Sequence, residues 1–91
     1  MGNVYISIII PVYNVENYLE QCVKSILAQA SANDEILLVE DCSTDRSGEI
    51  CDALAGRDPR IRVIRHAENK GISAARNSGL TECKGEWVLF I

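Results

Sequence analysis

Three carboxylates lie close together in the segment Glu40–Asp45, which reads Glu-Asp-Cys-Ser-Thr-Asp. The apolar residues just before it predict a buried strand, so the acids stand where a strand ends and a helix begins. Asp45 is explained by helix capping and by the favourable interaction of an anion with a helix N-terminus. Asp41 precedes the capping position, and a carboxylate there can accept hydrogen bonds from a nucleobase N–H or a ribose hydroxyl. Asp41 is therefore the first candidate binding residue.

The second candidate is Arg76, within the segment Asn69–Gly79. On a helical wheel drawn at about 100° per residue, Arg76 falls in the middle of the apolar arc. A guanidinium on a packing face must meet an anion, because leaving it unpaired carries a heavy desolvation cost. Its partner is either a buried acid, Asp41 or Glu40, or a ligand phosphate, or a carboxylate that also holds the ligand.

The third candidate surface is Pro11–Asn14, at the end of the first apolar run. Pro11 removes a ladder donor and ends strand pairing, so the residues after it turn across the mouth of the sheet. The ring of Tyr13 could flank a base, whereas Asn14 could be a helix N-cap and nothing more. Glu16 is expected in the first turn of the following helix, where the helix dipole explains an acid.

Two alternating periodicities predict the elements that position these residues. Apolar runs predict four strands, at Tyr5–Pro11, Asp34–Glu40, Ile61–Arg65 and Trp87–Ile91. Helical patterns predict three helices, running from Asn14 to about Ala30, from Ser43–Asp45 to about Ala55, and over about Ser73–Glu82. This order predicts an α/β fold, a three-layer α/β/α sandwich with a mainly parallel sheet in the order third, second, first, fourth strand. Ligands of such sheets bind outside the carboxyl ends of the strands.

Composition and charge argue against several functions. Hydrophobic residues make up 47% of the 91 residues and charged residues 24%, which is typical of one globular domain. The net charge of −4 and the scattered Lys and Arg argue against nucleic-acid binding. The four cysteines form no C-x-x-C pair and His66 is the single histidine, so we expect no zinc site. The run Ile6–Val12 is too short to span a membrane and has no basic residue before it, which favours reduced thiols and a cytoplasmic location.

Four blocks of the sequence resemble, in order and spacing, the family 2 glycosyltransferases. The blocks are Ser7–Asn14, Leu38–Asp45, Asn69–Gly71 with Ala75–Gly79, and Gly85–Ile91. The resemblance covers essentially the whole chain and implies a GT-A fold, of which residues 1–91 would be the single, Rossmann-like nucleotide-binding part. It also implies transfer of a sugar, with inversion, from a nucleotide-diphospho-sugar, commonly a UDP-sugar, to a glycan, lipid-linked or other acceptor.

The resemblance further implies roles for individual residues. Six would lie at the nucleotide: Pro11, Val12, Tyr13, Glu16, Asp41 and Arg76. The first three would lie along the base with Glu16 nearby, Asp41 would hydrogen-bond the base, and Arg76 would reach the base or the pyrophosphate.

The rest of the family's machinery would lie beyond this chain. The family's Asp-x-Asp motif binds Mg²⁺ or Mn²⁺ through the donor diphosphate and would follow Ile91 directly. The catalytic base would lie in the missing second half. We therefore expect a fragment that is inactive alone, with no catalytic or metal-binding residue of its own. The full-length enzyme would be a hexosyltransferase of polysaccharide synthesis that can associate peripherally with the inner face of the membrane.

The sequence departs from the family pattern at two positions. Glu40 stands where Asp or Asn is usual, and Cys42 stands where Gly is usual. At Cys42 a residue with a β-carbon occupies a turn that is often filled by glycine. We therefore expect this departure to affect the geometry of the loop.

Three alternatives differ in the residues they require. A response-regulator receiver would share the acidic mouth of Ile36–Asp41, but the third strand is followed by no phospho-acceptor aspartate and a complete strand–helix unit precedes the acidic one. A dinucleotide-binding domain would carry G-x-G-x-x-G after the first strand, where Pro11–Asn14 stands instead. A noncatalytic relative that only binds nucleotide remains open, because the residues that decide activity lie outside these 91.

Overall fold

The computed structural model describes residues 4–91 and contains seven elements. In chain order they are β1 (Ile6–Val12), α1 (Leu19–Leu27), β2 (Glu35–Glu40), α2 (Ser47–Arg57), β3 (Ile61–Arg65), α3 (Ile72–Glu82) and β4 (Trp87–Phe90). The strands form one sheet in the order β3-β2-β1-β4, with every neighbouring pair parallel. The predicted strand order, the parallel pairing and the α/β class are confirmed.

The two central strands form the core of the sheet because their apolar side chains are covered on both faces. All six residues of β2 are buried, and β1 is buried over most of its length. β3 is an edge strand, as its alternating apolar and basic residues predict, and β4 is the opposite edge with all four residues exposed.

The helices cover the two faces of the sheet unequally. α1 and α2 pack on one face over a large aliphatic cluster that includes Ile8, Val23 and Leu54. α3 packs alone on the other face over a smaller cluster, in which Ala75 meets Ile9. A small residue at Gly79 lets α3 approach this closely, since a β-carbon there would lie 2.5 Å from a methyl carbon of Ile9. The three predicted layers are therefore present.

Helix α1 begins later than its sequence suggests. Its first residue is Leu19, and Tyr18 occupies the N-cap position, so the expectation that Asn14 caps this helix is wrong. The backbone of Asn14 has φ = 52°, and its side-chain oxygen accepts the N–H groups of Thr44 and Asp45 at 2.8 and 3.3 Å. Asn14 thus serves the loop before α2, which lies about thirty residues further along the chain.

Helix α2 is also displaced from its predicted position. It starts at Ser47 rather than within Ser43–Asp45 and continues through Gly56 to Arg57. Asp45 still satisfies an N–H at this end, because its Oδ1 accepts from the Ser47 amide at 2.8 Å. No helix within residues 4–91 has the length and apolar character needed to cross a bilayer.

A buried polar cluster stands at the amino end of the sheet. Glu35, the first residue of β2, accepts hydrogen bonds from the Ser7 hydroxyl at 2.6 Å and from the Lys84 amide at 2.7 Å. Its other oxygen pairs with the Arg62 guanidinium at 3.0 Å. The amide of Gly85 donates to Ser7 Oγ at 2.8 Å, so the segment that leads into β4 is held against the sheet.

Candidate functional site at the carboxyl end of the sheet

A pocket of about 340 Å³ opens where β1 and β2 end. Its wall on the β1 side is apolar, and the segment that leads into α3 forms the opposite wall. The lining residues are Pro11, Val12, Tyr13, Val15, Asp41, Asn69, Gly71, Ile72 and Ala75. Four of the six residues expected at the nucleotide therefore share this pocket, whereas Glu16 and Arg76 are not among the lining residues.

Asp41 is the buried acid of this pocket, with 3% of its surface exposed. Its Oδ1 accepts hydrogen bonds from His66 Nδ1 at 2.7 Å and from the Lys70 amide at 2.9 Å. Its Oδ2 accepts from the Asn69 side-chain amide and from the Gly71 amide, both at 2.9 Å. A carboxylate offers about four acceptor positions, so this one is fully engaged. It fixes the shape of the pocket wall formed by residues 69–71.

Opposing effects set the pKa of Asp41. Burial raises it, while the hydrogen bonds from His66 and from the amides of Lys70 and Gly71 lower it, and the net pKa lies below the ordinary 3.8. Asp41 is therefore a carboxylate at neutral pH and can only accept hydrogen bonds.

Gly71 closes this arrangement by its backbone conformation. It has φ = 93°, and its amide donates to Oδ2 of Asp41 at 2.9 Å. Nothing lies within 4 Å of where a β-carbon would be, so conformation rather than space favours glycine here.

His66 is the site residue that the sequence interpretation missed. It directly follows β3, its side chain is 6% exposed, and it bridges Asp41 to Ser78 of α3 with two contacts of 2.7 Å. The available signal was its place: the single histidine follows a parallel strand at the same sheet edge as Asp41, where strand-end residues converge.

Reciprocal hydrogen bonds join the loop after β1 to the loop after β2. Ser43 Oγ accepts from the Asn14 amide at 3.1 Å, and Ser47 Oγ accepts from the Val15 amide at 2.9 Å. Glu16 lies ahead of α1 rather than in its first turn, and its carboxylate accepts the Arg46 amide at 2.8 Å where α2 begins. These bonds hold the segment that directly follows Tyr13, which is exposed and lines the pocket.

The two departures from the family pattern fit this loop. Cys42 has φ = 60°, so a residue with a β-carbon does occupy a left-handed turn, and its thiol contacts the Ala67 carbonyl at 3.6 Å. The longer side chain of Glu40 accepts the Ser43 amide at 2.8 Å and faces Arg65 at 3.7 Å. The buried charge of Glu40 is thus compensated locally.

Arg76 does not lie on the packing face of α3, so that expectation is wrong. The buried residues of this helix are Ala75 and Gly79, while Arg76 is exposed. Its guanidinium lies over the ring of Phe90 in β4, 5.8 Å from the ring centroid, rather than against a buried acid. The apolar arc of the helical wheel predicted the wrong packing face, because α3 lies close to the sheet and buries only its smallest residues. The larger Ile72 and Leu80 are exposed as well.

The described part of the chain, residues 4–91, holds no group of three or more His, Cys, Asp or Glu side chains that could ligate a metal. Asp41 also has no acceptor position to spare. The residues present here therefore do not fit a divalent cation.

The parallel sheet, its helices on both faces and a pocket at the carboxyl strand ends define a Rossmann-like α/β protein. Residues 7–91 match the sequence profile described as Glycosyl transferase family 2, so the chain belongs to that family. It is 52% identical over 86 residues to the glycosyltransferase GlyA of Streptococcus pneumoniae serotype 4, across 94% of this chain and 12% of GlyA.

Solved structures agree with the GT-A architecture. The crystal structure of S. aureus TarS 1-349 in complex with UDP-GlcNAc matches with a TM-score of 0.87 and 31% identity, over 96% of this chain and 26% of that one. The mannosyltransferase PcManGT from Pyrobaculum calidifontis, in complex with GDP-Man and Mn²⁺, matches with a TM-score of 0.83 over 97% of this chain and 27% of that one. Its identity is 23%, so this likeness concerns the fold alone. The chain spans 12% to 27% of the lengths of these three proteins.

Proposed function

We propose that residues 1–91 form the donor-binding part of a longer, inverting glycosyltransferase that uses a UDP-sugar. The observation that carries this proposal is the pocket at the ends of β1 and β2, where an apolar wall faces a buried, ionised Asp41. A flat apolar base with polar edges suits such a wall, and a carboxylate suits the N–H groups of the base. The 31% identity to TarS, solved with UDP-GlcNAc, supports the choice of uridine nucleotide.

In this proposal each site residue has a distinct role. Pro11, Val12 and Tyr13 lie along the base, and Asp41 both holds the wall of residues 69–71 and shares an oxygen with a base N–H. Sharing is required because all four acceptor positions of Asp41 are engaged. Arg76, exposed on α3 and lying over Phe90 at the end of β4, reaches the base or the pyrophosphate.

Glu16 takes a supporting role near the nucleotide. Its carboxylate is bonded to the Arg46 amide, so it orients the loop that follows Tyr13.

The transfer step itself requires residues outside this chain. An acceptor hydroxyl, on a saccharide or lipid-linked acceptor, attacks the anomeric carbon, loses its proton to a base, and UDP leaves from the opposite side. We place that base beyond residue 91, together with the carboxylates that hold Mg²⁺ or Mn²⁺. When bound, such a cation offsets the negative charge of the diphosphate. Residues 4–91 contribute binding and orientation of the nucleotide.

The test is calorimetric titration of the full-length protein with UDP and with GDP, in parallel with release of UDP from UDP-sugars. Ile72 lines the pocket and is exposed, so Ile72→Trp extends a ring over the pocket without disturbing the core. Leu80 is equally an exposed apolar residue of α3 but lies outside the pocket, so Leu80→Trp is the matched control.

We expect Ile72→Trp to weaken UDP binding about tenfold or more, the scale of 1.4 kcal/mol, and Leu80→Trp to leave it unchanged. Equal effects of the two variants, or no UDP binding by the unmodified protein, would refute the pocket assignment. Tighter binding of GDP would refute the choice of uridine, and binding without turnover would identify a noncatalytic nucleotide-binding relative.

A further inference from the structure

The imidazole of His66 joins three elements at the candidate site. Its Nδ1 lies 2.7 Å from Oδ1 of Asp41, at the end of β2, and its Nε2 lies 2.7 Å from the hydroxyl of Ser78, in α3. The ring itself directly follows β3 and is buried. One continuous hydrogen-bonded chain therefore runs from the pocket carboxylate to the helix that lines the opposite wall.

The direction of the protons in this chain follows from Asp41. An ionised carboxylate only accepts, so Nδ1 of His66 carries a proton whether the ring is neutral or charged. In the neutral ring Nε2 has a lone pair, and the Ser78 hydroxyl donates to it. Each buried polar atom of the chain then has a partner, which is the condition for a buried network to hold one conformation.

An Asp–His–Ser order also suggests a hydrolytic triad, but the surroundings do not support one. Neither His66 nor Ser78 lines the 340 Å³ pocket that Asp41 borders. The remaining acceptor positions of Asp41 accept hydrogen bonds from the amides of Lys70 and Gly71 and from the Asn69 side chain. The hydrogen bonds that join Asp41, His66 and Ser78 therefore support the pocket wall and do not activate a nucleophile that faces a substrate.

We propose that His66 is a positioning residue for nucleotide binding: it fixes the Asp41 carboxylate in the orientation that holds residues 69–71 as the pocket wall. This inference rests on the proposed function, since it assigns His66 to the same nucleotide pocket. Without the Nδ1–H donor, Asp41 can turn about its side-chain bonds. The amides of Lys70 and Gly71 then lose the acceptor that orders them.

Two substitutions separate the two halves of the imidazole. In His66→Asn the side-chain amide nitrogen takes the place of Nδ1 and still donates to Asp41, but it cannot reach Ser78. In His66→Gln the longer amide takes the place of Nε2, reaches Ser78, and leaves Asp41 without its donor. We expect His66→Gln to weaken UDP binding by the full-length protein about tenfold, and His66→Asn to stay within about twofold of the unmodified protein.

A matched pair on α3 controls for general damage to the helix. Ser78→Ala removes the outer partner of the imidazole, whereas Thr81→Ala removes a hydroxyl that donates to the Asn77 carbonyl of its own helix at 2.9 Å. We expect Ser78→Ala to weaken UDP binding about threefold, and Thr81→Ala to leave it unchanged. Equal thermal stabilities of His66→Asn and His66→Gln, with unequal UDP affinities, would separate positioning from stabilisation.

A spectroscopic measurement tests the proton placement without nucleotide. Nitrogen-15 NMR of histidine-labelled protein reports which ring nitrogen carries the proton, and the His66 signal is the one absent from the His66→Asn spectrum. We expect a protonated Nδ1. A neutral ring protonated only at Nε2 would overturn the proposal, as would equal UDP affinities of His66→Gln and the unmodified protein. If the unmodified protein does not bind UDP at all, the proposed function fails instead.

Discussion

A buried carboxylate lies at each end of strand β2, and the two carboxylates differ in what surrounds them. Glu35 begins the strand and Asp41 follows its last residue, and each is a buried carboxylate that collects hydrogen bonds from backbone amides. Glu35 holds the segment that leaves α3, through the Lys84 amide, while Asp41 holds the segment that enters it. Among residues 4–91, α3 is the only helix on its face of the sheet, and the segments at both of its ends are hydrogen-bonded to carboxylates at the two ends of β2.

The difference between the two carboxylates lies in their charged partners. Glu35 forms an ion pair with Arg62 at 3.0 Å, so its charge is compensated. Among residues 4–91, Asp41 forms no ion pair with a Lys or Arg side chain, and its one ionisable partner is His66. It also borders the apolar pocket. The charge of Glu35 is therefore compensated by an arginine, whereas the carboxylate that borders the pocket is held by a histidine and by neutral amide groups.

The largest effect should come from removing each carboxylate in turn. Asp41→Ala leaves His66 and two loop amides without an acceptor, so we expect a loss of about 2–4 kcal/mol of stability and a UDP affinity lower by roughly ten- to hundredfold. Glu35→Ala should cost about 2 kcal/mol of stability and leave UDP affinity nearly unchanged. Thermal unfolding beside UDP titration measures both. A loss of UDP binding in Glu35→Ala that matches Asp41→Ala would remove the distinction between the ends.

Two glycines sharpen the same contrast. A β-carbon on Gly85 would lie 2.6 Å from the backbone nitrogen of Ser7, so Gly85→Ala forces the α3–β4 connection off the sheet and should cost about 1–3 kcal/mol. Gly71→Ala meets no clash but strains a residue at φ = 93°, which costs about 1–2 kcal/mol. Only Gly71→Ala should also weaken UDP binding. Chemical unfolding and UDP titration of the two variants compare them directly.

A smaller effect is expected in the pH dependence of stability. Burial raises the pKa of Glu35, but the hydrogen bonds from Ser7 and the Lys84 amide and the pairing with Arg62 bring it below 4.5. The pKa of Asp41 lies below 3.8. A depressed pKa stabilises the fold above the ordinary value, and this contribution disappears as the pH falls through the folded-state pKa.

Wild-type stability should therefore fall as the pH drops below about 4.5, and each amide variant should decline less steeply. Glu35→Gln should diverge from wild type in slope at a higher pH than Asp41→Asn. Urea midpoints between pH 7 and pH 3 provide the measurement. Parallel curves for all three proteins would show that neither carboxylate is linked to folding.

The smallest effect on stability is expected at Arg76. Its exposed guanidinium lies over the Phe90 ring, and such a contact is worth about 0.5–1 kcal/mol at an exposed site. Arg76→Ala should therefore weaken UDP binding while lowering stability by no more than that amount, and Arg76→Lys should restore only part of the binding. Titration and thermal unfolding separate the two. A large loss of stability would place Arg76 in the core after all.

The sequence was sufficient for the sheet because strand signals are local. A β-branched run followed by a turn identifies a strand and its carboxyl end. Parallel strands bring those ends together, so the sequence alone predicts that Pro11–Tyr13 and Asp41 lie at one edge of the sheet. The bounds of β3, Ile61–Arg65, were predicted as observed.

The remaining features depend on partners that lie far along the chain. Asn14 and Glu16 resemble capping residues of the nearest helix, but their side-chain oxygens bond to amides about thirty residues away. A rule based on neighbouring residues cannot tell whether such a side chain caps the nearest helix or bonds to a distant loop. The prediction that Arg76 lies on the packing face was wrong for a different reason. A helical wheel shows which residues share a face but not how close the helix lies to the sheet. His66 was missed although its position directly after a parallel strand, at the same sheet edge as Asp41, was a usable signal.

The distance along the chain between β4 and the strand that it pairs with, β1, also bears on the order in which the strands can associate during synthesis. β1 can pair with β2 once β2 has been made, whereas Ile6 can pair with Trp87 only after residue 87 has been made. At about 5–20 residues per second, synthesis of the stretch between β3 and β4 takes roughly one to four seconds, long enough for β1, β2 and β3 to associate first. With all four residues exposed, β4 adds little burial of its own. Within residues 4–91, β4 pairs on one side only whereas β2 pairs on both, so the amides of β4 should exchange with solvent sooner than those of β2.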